Sequence, residues 1–343
     1  MSSALRAETD VVVIGAGPIG LFAVFELGML RLKCHVVDAL PAIGGQLTAL
    51  YPEKPIYDIP GFPKIIAQDL VGRLQEQAAP FHPRYHLDVS VETLARLPDD
   101  RWEVTLSDGR ALIAPVVVIA AGAGAFGPNR PPLDRLAEFE GRSVSYLVQK
   151  REDYRGKRVV IAGGGDSAVD WAISLSEVAA KVMVVHRRAK FRAAPESEAR
   201  LKALAESGVV DLVVPYQLHG LSGQNGQLEA VSVATLDGKT RTLEADVLLP
   251  FYGLASQLGP IAKWGLVMDG TQIAVSPETL ATNLKGIFAI GDVASYPGKL
   301  KLILQGFSEA AMAAQAAYAA ARPNEALHFE HSTTTGVPCQ THR

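Results

Sequence analysis

The 343-residue sequence is poor in cysteine, with only Cys34 and Cys339. The two form no Cys-x-x-Cys motif, and a single disulfide bond between them could not stabilise a fold of this size. So low a cysteine content fits a reducing compartment. No apolar run approaches the roughly 20 residues that span a bilayer, and Met1 to Asp10 lacks the apolar core of a secretory signal. We therefore expect a soluble, cytoplasmic protein.

The chain also lacks a strong excess of charge of either sign. It has 33 basic and 36 acidic residues, for a net charge of −3. This balance does not suggest a protein that binds nucleic acid or a membrane surface, and no resident metal is predicted. Hydrophobic residues make up 48% of the chain, which is enough apolar material for about two domain cores at ~150 residues each.

A glycine motif near the start of the chain indicates a dinucleotide site. A predicted buried strand, Asp10 to Ile14, leads into Gly15, Gly17, Pro18 and Gly20, and a predicted helix, Leu21 to Arg31, follows. In such a turn the glycines permit a tight bend, close approach of a pyrophosphate and packing of helix on strand. The next strand, His35 to Val37, ends at Asp38, whose carboxylate would accept hydrogen bonds from a ribose and repel a 2′-phosphate. The turn predicts FAD or NAD, and the alternative is a purely structural turn.

A second unit of the same kind begins at the predicted strand Arg158 to Ala162. Its turn contains Gly163, Gly165, Asp166 and Ser167, and a helix over Val169 to Ala180 and a strand over Val182 to Val185 are expected. Arg187 and Arg188 follow that strand, where the first unit has Asp38, and Arg192 comes soon after. Guanidinium groups bind phosphate in bidentate fashion, so this unit predicts NADP(H). The alternative is a solvated basic turn.

Other segments indicate sheets that accompany the two units. Val89 to Val91 and Trp102 to Leu106 are predicted antiparallel strands, and Leu228 to Leu236 with Thr240 to Glu244 form a predicted hairpin. Gln305 to Ala321 is a predicted Ala-rich helix, and the polar tail from 322 to 343 is expected to be irregular.

These motifs together resemble the two-domain pyridine nucleotide–disulfide oxidoreductases of the thioredoxin reductase type. The resemblance covers nearly the whole chain and is carried by five stretches: Gly15-Ala16-Gly17-Pro18, Gly44-Gly45-Gln46, Ala120-Ala121-Gly122, His186-Arg187-Arg188 through Phe191-Arg192, and Gly286-Ile287-Phe288-Ala289-Ile290-Gly291-Asp292. It implies an α/β fold of two Rossmann-like, three-layer ββα domains, with the NADP(H) domain inserted into the FAD domain. The implied boundaries are 1–124 and 256–343 for FAD, with a C-terminal extension from about 322, and 125–255 for NADP(H).

One departure from that family bears on function. Thioredoxin reductases carry a Cys-x-x-Cys after a Gly-x-x-Val-Ser-Tyr stretch, whereas here Gly141 to Tyr146 is followed by Leu147-Val148-Gln149-Lys150. The chain is therefore more similar to the thioredoxin-reductase-like ferredoxin–NADP(+) reductases. Tyr51 after the Gly-Gly-Gln motif, the stretch from Lys301 to Ala310, and an extension with His331 to Thr334 support that subgroup.

The resemblance implies roles for individual residues. Asp38 would hold the adenosine ribose of FAD, Val91 would meet the adenine, and Asp292 would hold the ribityl chain. Gln46, Tyr51 and Phe126 would lie at the isoalloxazine, with Tyr51 stacked on one face, and Thr333 would reach it from the other subunit of a homodimer. Tyr51 could instead be a loop residue, Phe126 a core residue and Thr333 part of a disordered tail.

We therefore predict an enzyme that passes electrons between NADPH and ferredoxin, or flavodoxin, through FAD. Lys54, Lys64, Arg73 and Lys150 are candidates for docking an acidic carrier. Two other functions stay open: an NADPH-dependent flavin, quinone or ferric reductase, and a non-enzymatic redox sensor that binds FAD and NADPH.

Overall fold

The computed structural model describes residues 6–325, 327 and 336. Within them the strands of the first part of the chain are β1 (Arg6–Glu8), β2 (Val11–Ile14), β3 (Cys34–Val37), β4 (Pro55–Ile56), β5 (Ile65–Ile66), β6 (Arg84–His86), β7 (Val91–Arg96), β8 (Trp102–Leu106), β9 (Ala111–Ala114), β10 (Val116–Ile119) and β11 (Ala125–Pro128). The later strands are β12 (Arg158–Ala162), β13 (Lys181–Val185), β14 (Val210–Val213), β15 (Gln217–Gln224), β16 (Gln227–Ala234), β17 (Thr240–Glu244), β18 (Val247–Pro250), β19 (Leu254–Gln257), β20 (Met268–Asp269), β21 (Gln272–Ala274), β22 (Ile287–Ala289) and β23 (Ala294–Ser295).

The α-helices of the described residues are α1 (Pro18–Met29), α2 (Gln46–Leu50), α3 (Ala67–Ala78), α4 (Leu136–Phe139), α5 (Asp166–Leu175), α6 (Pro195–Glu206) and α7 (Ile303–Ala321). Short 3-10 helices occur at Ala79–Phe81, Arg151–Tyr154, Gly259–Lys263 and Gly291–Val293. The described residues form two compact units, the first built from residues up to 126 and from 256 onward, and the second from 127–255.

The first unit is built on a parallel five-stranded sheet in the order β22-β10-β2-β3-β6. Strand β2 is buried along its whole length because both faces of this sheet are covered. Val11 and Val13 pack in one core with residues of α1 and α7. Val12 and Ile14 pack in another core with the second sheet, β1-β9-β8-β7. The unit therefore has three layers: helices, parallel sheet and second sheet.

The second unit repeats this plan with fewer strands. Its parallel sheet has the order β14-β13-β12-β18, and β15-β16-β17 form an antiparallel sheet beside it. Met183 and Val185 of the parallel sheet share a core with Val231 and Val233 of the antiparallel one. The predicted α/β class with Rossmann-like parallel sheets is confirmed.

Some predicted element ends are wrong, for reasons of backbone hydrogen bonding. Helix α5 begins at Asp166 and ends at Leu175, not at Ala180, because the Glu177 N–H bonds to the Ser174 carbonyl, three residues back, and the Ala180 N–H bonds to the Lys157 carbonyl. Strand β7 begins only at Val91, because the Val89 N–H is bonded to the Asp38 carbonyl. The last of these bonds draws the loop before β7 to the end of β3.

Candidate nucleotide-binding sites

The turn between β2 and α1 is closed at two of its glycines and open at the third. A Cβ on Gly15 would lie 2.3 Å from the Ala120 carbonyl oxygen, and one on Gly20 would lie 1.9 Å from the Gly15 carbonyl oxygen. Backbone fills both positions, so no side chain fits there. At Gly17 the nearest atom to such a Cβ would be the Gly45 Cα, 4.0 Å away. Gly17 therefore borders open space in which a pyrophosphate could approach the backbone.

Helix α1 begins directly at this space. Pro18 is its first residue, Gly17 is its N-cap, and its first turn contains no acidic residue. The free N–H groups of the first turn and the helix dipole give this end a positive potential. Turn and helix thus fit the phosphates of a dinucleotide.

Asp38 is held in place by two backbone N–H groups. Its Oδ2 accepts a hydrogen bond from Ala16 N at 2.6 Å, and its Oδ1 accepts one from Leu40 N at 2.8 Å. Burial raises the pKa of this carboxyl above its usual value, and the two backbone hydrogen bonds oppose that shift. The carboxylate is therefore oriented before any ligand arrives, at the end of the strand where a ribose would lie.

These elements line one cavity of about 500 Å³ in the first unit. Many of the residues predicted to bind FAD line it: Gly15, Gly17, Pro18, Asp38, Gln46, Tyr51, Val91 and Asp292. Gly20 packs behind the turn instead. Phe126 belongs to strand β11, and the role predicted for its side chain stays a prediction. Thr333 lies outside the described residues.

Tyr51 presents a half-buried phenol to this cavity. Burial, and then the negative charge of Asp292, raise the pKa of Tyr51 to about 12. The hydroxyl is therefore protonated at neutral pH. The Lys54 ammonium lies 5.6 Å from the centroid of the Tyr51 ring. An aromatic face and a phenolic donor are thus available to a planar ligand.

Gln46 enters the cavity from a second glycine turn. Gly45, the N-cap of α2, has a φ of 57°, and a Cβ there would lie 3.1 Å from the Gly17 Cα. The two glycine turns therefore face each other at short range. The side-chain amide of Gln46 lies near Gly122, with Nε2 3.6 Å from where a Gly122 Cβ would be.

Sequence reasoning missed two parts of the cavity wall, namely Lys301 to Ile303 before and at the start of α7, and Gln257 to Ile261 after the second unit. The first part was noted only as a point of resemblance. Loop residues such as these carry no periodic signal that would place them in a site.

The turn between β12 and α5 is also closed at one glycine and open at another. A Cβ on Gly163 would lie 2.7 Å from the Phe251 carbonyl oxygen, whereas one on Gly165 would meet nothing within 4 Å. Helix α5 begins at Asp166 with Gly165 as its N-cap, and Ser167 is exposed on its first turn. Asp166 Oδ1 accepts a hydrogen bond from Ala194 N at 2.9 Å, which holds the loop after β13.

Arg187, Arg188 and Arg192 are exposed close to this turn. Arg192 N donates a hydrogen bond to the Gly164 carbonyl at 2.6 Å, so its backbone runs beside the glycine turn. Burial lowers the pKa of His186, and the positive charges of all three arginines lower it further. In the part of the chain that the structure describes, none of the three guanidinium groups has an acidic partner. Unpaired guanidinium groups beside an open helix N-terminus fit a phosphorylated ligand.

In the second unit the residue equivalent to Asp38 is His186. The prediction that Arg187 and Arg188 take this position is therefore wrong. Gly15 N bonds to Val37 O at 2.8 Å, and Gly163 N bonds to Val185 O at 3.0 Å. The residues immediately after these two strand residues are Asp38 and His186. The arginines therefore lie one and two residues further along the chain.

Arg187 also borders a second cavity, of about 480 Å³, at the carboxyl ends of β13 and β14. Tyr216, Leu236 and Lys239 line it as well. Among the described residues no group of three or more metal-ligating side chains is found. No helix of this part of the chain is long and apolar enough to cross a membrane.

Residues 9–321 match the pyridine nucleotide-disulphide oxidoreductase family. The ferredoxin–NADP reductase of Paramagnetospirillum magneticum is 70% identical over 331 residues, which cover 96% of this chain and 98% of the relative. That of Rhodospirillum rubrum is 65% identical over 341 residues, covering 98% and 99%.

Solved structures show the same fold. Thioredoxin reductase of Lactococcus lactis aligns with a TM-score of 0.80 at 23% identity, covering 92% of this chain and 99% of that one. Thioredoxin reductase of T. acidophilum aligns with the same score and identity, covering 91% and 98%.

Proposed function

Because the chain belongs to the pyridine nucleotide-disulphide oxidoreductase family, we propose that it is a ferredoxin–NADP reductase that moves electrons between NADPH and ferredoxin through FAD. The enzyme class and the two cofactors agree between the family and relatives at 54–70% identity. We further propose that the first unit holds FAD and that the second unit holds NADP(H).

The observation that carries this proposal is the opposite charge beside the two glycine turns. The first turn has the carboxylate of Asp38, fixed by Ala16 and Leu40. The second has Arg187, Arg188 and Arg192, without acidic partners among the described residues. A carboxylate accepts hydrogen bonds from a free ribose and repels a 2′-phosphate, whereas guanidinium groups bind that phosphate. One chain thus has one site for each kind of nucleotide.

The absence of a dithiol supports ferredoxin over a disulfide substrate. The segment after Tyr146 is Leu147-Val148-Gln149-Lys150, and Val148 is fully buried. Of the two cysteines, Cys34 is a buried free thiol, and burial raises its pKa well above the usual range. Such a thiol is not reactive. Within the described residues, therefore, no pair of thiols is available to carry electrons from the flavin to a disulfide substrate.

When bound, FAD would supply the step between a two-electron hydride donor and a one-electron acceptor. The residues of the first unit would bind and orient it: the Gly17 turn and α1 at the pyrophosphate, Asp38 at the ribose and Asp292 at the ribityl chain. Tyr51 would cover one ring face and exclude water from it. Its pKa of about 12 keeps its proton on the phenol oxygen, so it would act as a hydrogen-bond donor rather than as a base.

The acidic carrier would dock through basic residues. Lys54 precedes β4 and Lys64 precedes β5, a two-stranded hairpin of the first unit. Arg73 lies on α3, where it pairs with Glu76, and Lys150 lies in the second unit. Lys54 supports this role best because its ammonium lies over the Tyr51 ring that lines the cavity.

The test is spectroscopic and kinetic. The purified protein is expected to be yellow, to bleach on addition of NADPH and to bleach much more slowly with equimolar NADH. Its rate with ferredoxin should fall steeply as salt is raised, while its rate with a small quinone should not. A colourless protein that takes up no FAD would refute the proposal. If NADPH bleaches the protein but electrons pass only to the quinone and not to ferredoxin, the proposed acceptor would have to be changed from ferredoxin to a small molecule.

We also propose flavodoxin as a second carrier, a homodimer as the active form and the cytoplasm as its location. The support is the resemblance, in which Thr333 of the C-terminal extension reaches the flavin of the other subunit. Light scattering of the holoenzyme is expected to give twice the chain mass of 36.5 kDa. A monomer would remove the role proposed for Thr333.

A further inference from the structure

Glu309 is a fully buried carboxylate on α7, on the face that carries Ala310, Ala313 and Ala317 into the core. Burying a charge is unfavourable unless it is paired and hydrogen-bonded. An acidic residue at this position in an otherwise apolar helix face therefore needs an explanation.

Its two oxygens are satisfied by three different groups. Oε2 accepts a hydrogen bond from Gly291 N at 2.7 Å. Oε1 accepts one from the Tyr296 hydroxyl at 2.6 Å and also contacts the ammonium of Lys299, whose side chain is 6% exposed. Gln305 Nε2 donates to the Tyr296 oxygen at 2.8 Å. We refer to Glu309, Lys299, Tyr296, Gln305 and Gly291 as the Glu309 network.

The Glu309 network joins two walls of the first-unit cavity, the one of about 500 Å³ that contains the predicted FAD-binding residues. Gly291 begins the short helical turn that contains Asp292, and both residues line the cavity. Tyr296 and Lys299 belong to the loop that leads into Lys301, Leu302 and Ile303, which also line it. Glu309 lies between these two segments and bonds to both.

A third wall packs against the same place. A Cβ on Gly291 would lie 3.3 Å from Ile19 Cγ1, and one on Gly306 would lie 2.5 Å from Ile19 Cδ1. Ile19 belongs to the first turn of α1, beside the phosphate-binding glycines. The position of the Gly291 turn is thus determined by the start of α1 on one side and by Glu309 on the other.

The bond to Gly291 distinguishes this network from an ion pair that only stabilises the fold. The half-exposed Arg158–Asp246 pair of the second unit links the first residue of β12 to the residue before β18, and Asp246 also accepts the Arg158 N–H at 2.8 Å, but these bonds lie at the end of β12 opposite to its glycine turn. Glu309 instead accepts from the backbone N–H of the residue before Asp292. An apolar residue at 309 would leave that N–H without a partner.

We propose that Glu309, held by Lys299 and Tyr296, is a positioning residue that places Asp292 and the Lys301–Ile303 segment for binding of FAD. This proposal rests on the proposed function in taking FAD as the ligand of the cavity. It adds a role to Glu309, Lys299 and Tyr296, which are not among the residues that line the cavity.

The experiment measures FAD release from the holoenzyme, by the rise of flavin fluorescence on dilution, together with the visible circular dichroism of the bound flavin. Glu309→Gln keeps the size of the side chain and loses its charge, so Lys299 remains buried without a counter-charge. We expect FAD release to be about tenfold faster or more, with an altered flavin dichroism. Lys299→Met should also accelerate release, and the double variant should show less than the product of the two effects.

Asp246→Asn provides the matched control because it removes a carboxylate–guanidinium pair in the second unit. It is expected to lower the melting temperature and to leave FAD release within about twofold of the unchanged protein. Glu309→Gln with the same loss of melting temperature, but with unchanged release and dichroism, would overturn the proposal.

Should Glu309→Gln fail to fold, Tyr296→Phe decides the matter, because it removes one hydroxyl and no charge. Release about threefold faster is expected, and unchanged release and dichroism would reject the proposal. In each case, the protein without substitutions serves as the reference. If it is yellow, the proposed function stands whatever the variants do, and if it is colourless, the proposed function is refuted.

Discussion

The two units build the same backbone scaffold around different side chains. The strand ends around each glycine turn are joined by three equivalent backbone hydrogen bonds. In the first unit these are Ala120 N to Ile14 O at 2.8 Å, Asp38 N to His86 O at 2.9 Å and Val89 N to Asp38 O at 3.1 Å. In the second unit they are Phe251 N to Ala162 O at 2.7 Å, His186 N to Val213 O at 3.3 Å and Tyr216 N to His186 O at 3.1 Å. The main chain therefore forms the same scaffold twice, without deciding which nucleotide would bind to each copy.

The difference lies in the residue after the second strand of each unit. In the first unit the Asp38 carboxylate accepts the Ala16 N–H. In the second unit the equivalent residue is His186, and its ring lies against Gly164, the counterpart of Ala16: a Cβ on Gly164 would lie 2.2 Å from His186 Cε1. Carboxylate with alanine is thus exchanged for imidazole with glycine. The ring of His186 also packs against Phe191, with centroids 5.1 Å apart.

A second difference lies beneath the same strand ends. In the first unit His35 Nδ1 and His86 Nε2 are 3.1 Å apart, and His86 Nδ1 is 2.9 Å from an Arg110 nitrogen. By strand register their counterparts in the second unit are Met183 and Val213, both in the apolar core. The first unit therefore carries a titratable pair where the second has two apolar side chains.

The largest expected effect comes from removing the positive charge that we propose binds phosphate in the second unit. Arg187→Ala/Arg188→Ala would remove two proposed charge-assisted hydrogen bonds to a 2′-phosphate. We expect kcat/KM for NADPH to fall about 100-fold or more, and that for NADH to stay within about threefold. Arg155→Ala, an exposed arginine before the amino end of β12, is the control and should change neither value. An equal fall with both nucleotides would mean that the arginines do not read the phosphate.

A smaller effect is expected from exchanging the paired residues of the two turns. Gly164→Ala would force its Cβ into the His186 ring and lower the free energy of unfolding by about 1–3 kcal/mol. Adding His186→Asp reproduces the Ala16–Asp38 arrangement and should restore part of that loss. Gly165→Ala is the control, since its Cβ meets no protein atom within 4 Å. Urea unfolding measures all three, and equal stability of Gly164→Ala and Gly165→Ala would reject the stated contact.

The smallest effect concerns acid stability. Burial foremost, then the charges of His86 and Arg84, lower the pKa of His35 to about 4, and burial also lowers the pKa of His86, with Arg110 adding and Asp108 opposing. Below the usual imidazole pKa of about 6.5, the unfolded chain therefore binds protons that the folded chain does not, and stability falls as pH falls toward about 4.

The double variant His35→Met/His86→Val installs the counterpart residues of the second unit. The fall in melting temperature between pH 7 and pH 4.5 should become smaller by about 2–4 °C. His219→Gln, which removes an exposed imidazole from β15, is the control and should leave that fall unchanged. An unaltered pH dependence in the double variant would show that the pair does not titrate on unfolding.

The fold class and the two candidate nucleotide turns could be predicted because their signals are local: each glycine turn lies between a buried strand and a helix and spans few residues. The choice of FAD and the enzyme class depended instead on the resemblance, which covers nearly the whole chain. The predicted site residues lie largely on one cavity wall or beside one turn, and their individual roles stay predictions. The residue equivalent to Asp38 was predicted one position too late, as Arg187 instead of His186, because the sequence pattern alone does not define where a strand ends.

The sequence by itself determined that this protein has two strand–glycine-turn–helix units, and that the next strand is followed by a carboxylate in the first unit and by arginines in the second. The tertiary structure alone decided which glycine of each turn faces open space, and which buried group supports Asp292. Gly291 and Glu309 are 18 residues apart, and Ala16 and Asp38 are 22 apart. Contacts across such separations leave no periodic trace, because they depend on how strands and helices pack and not on the spacing of residues along one element.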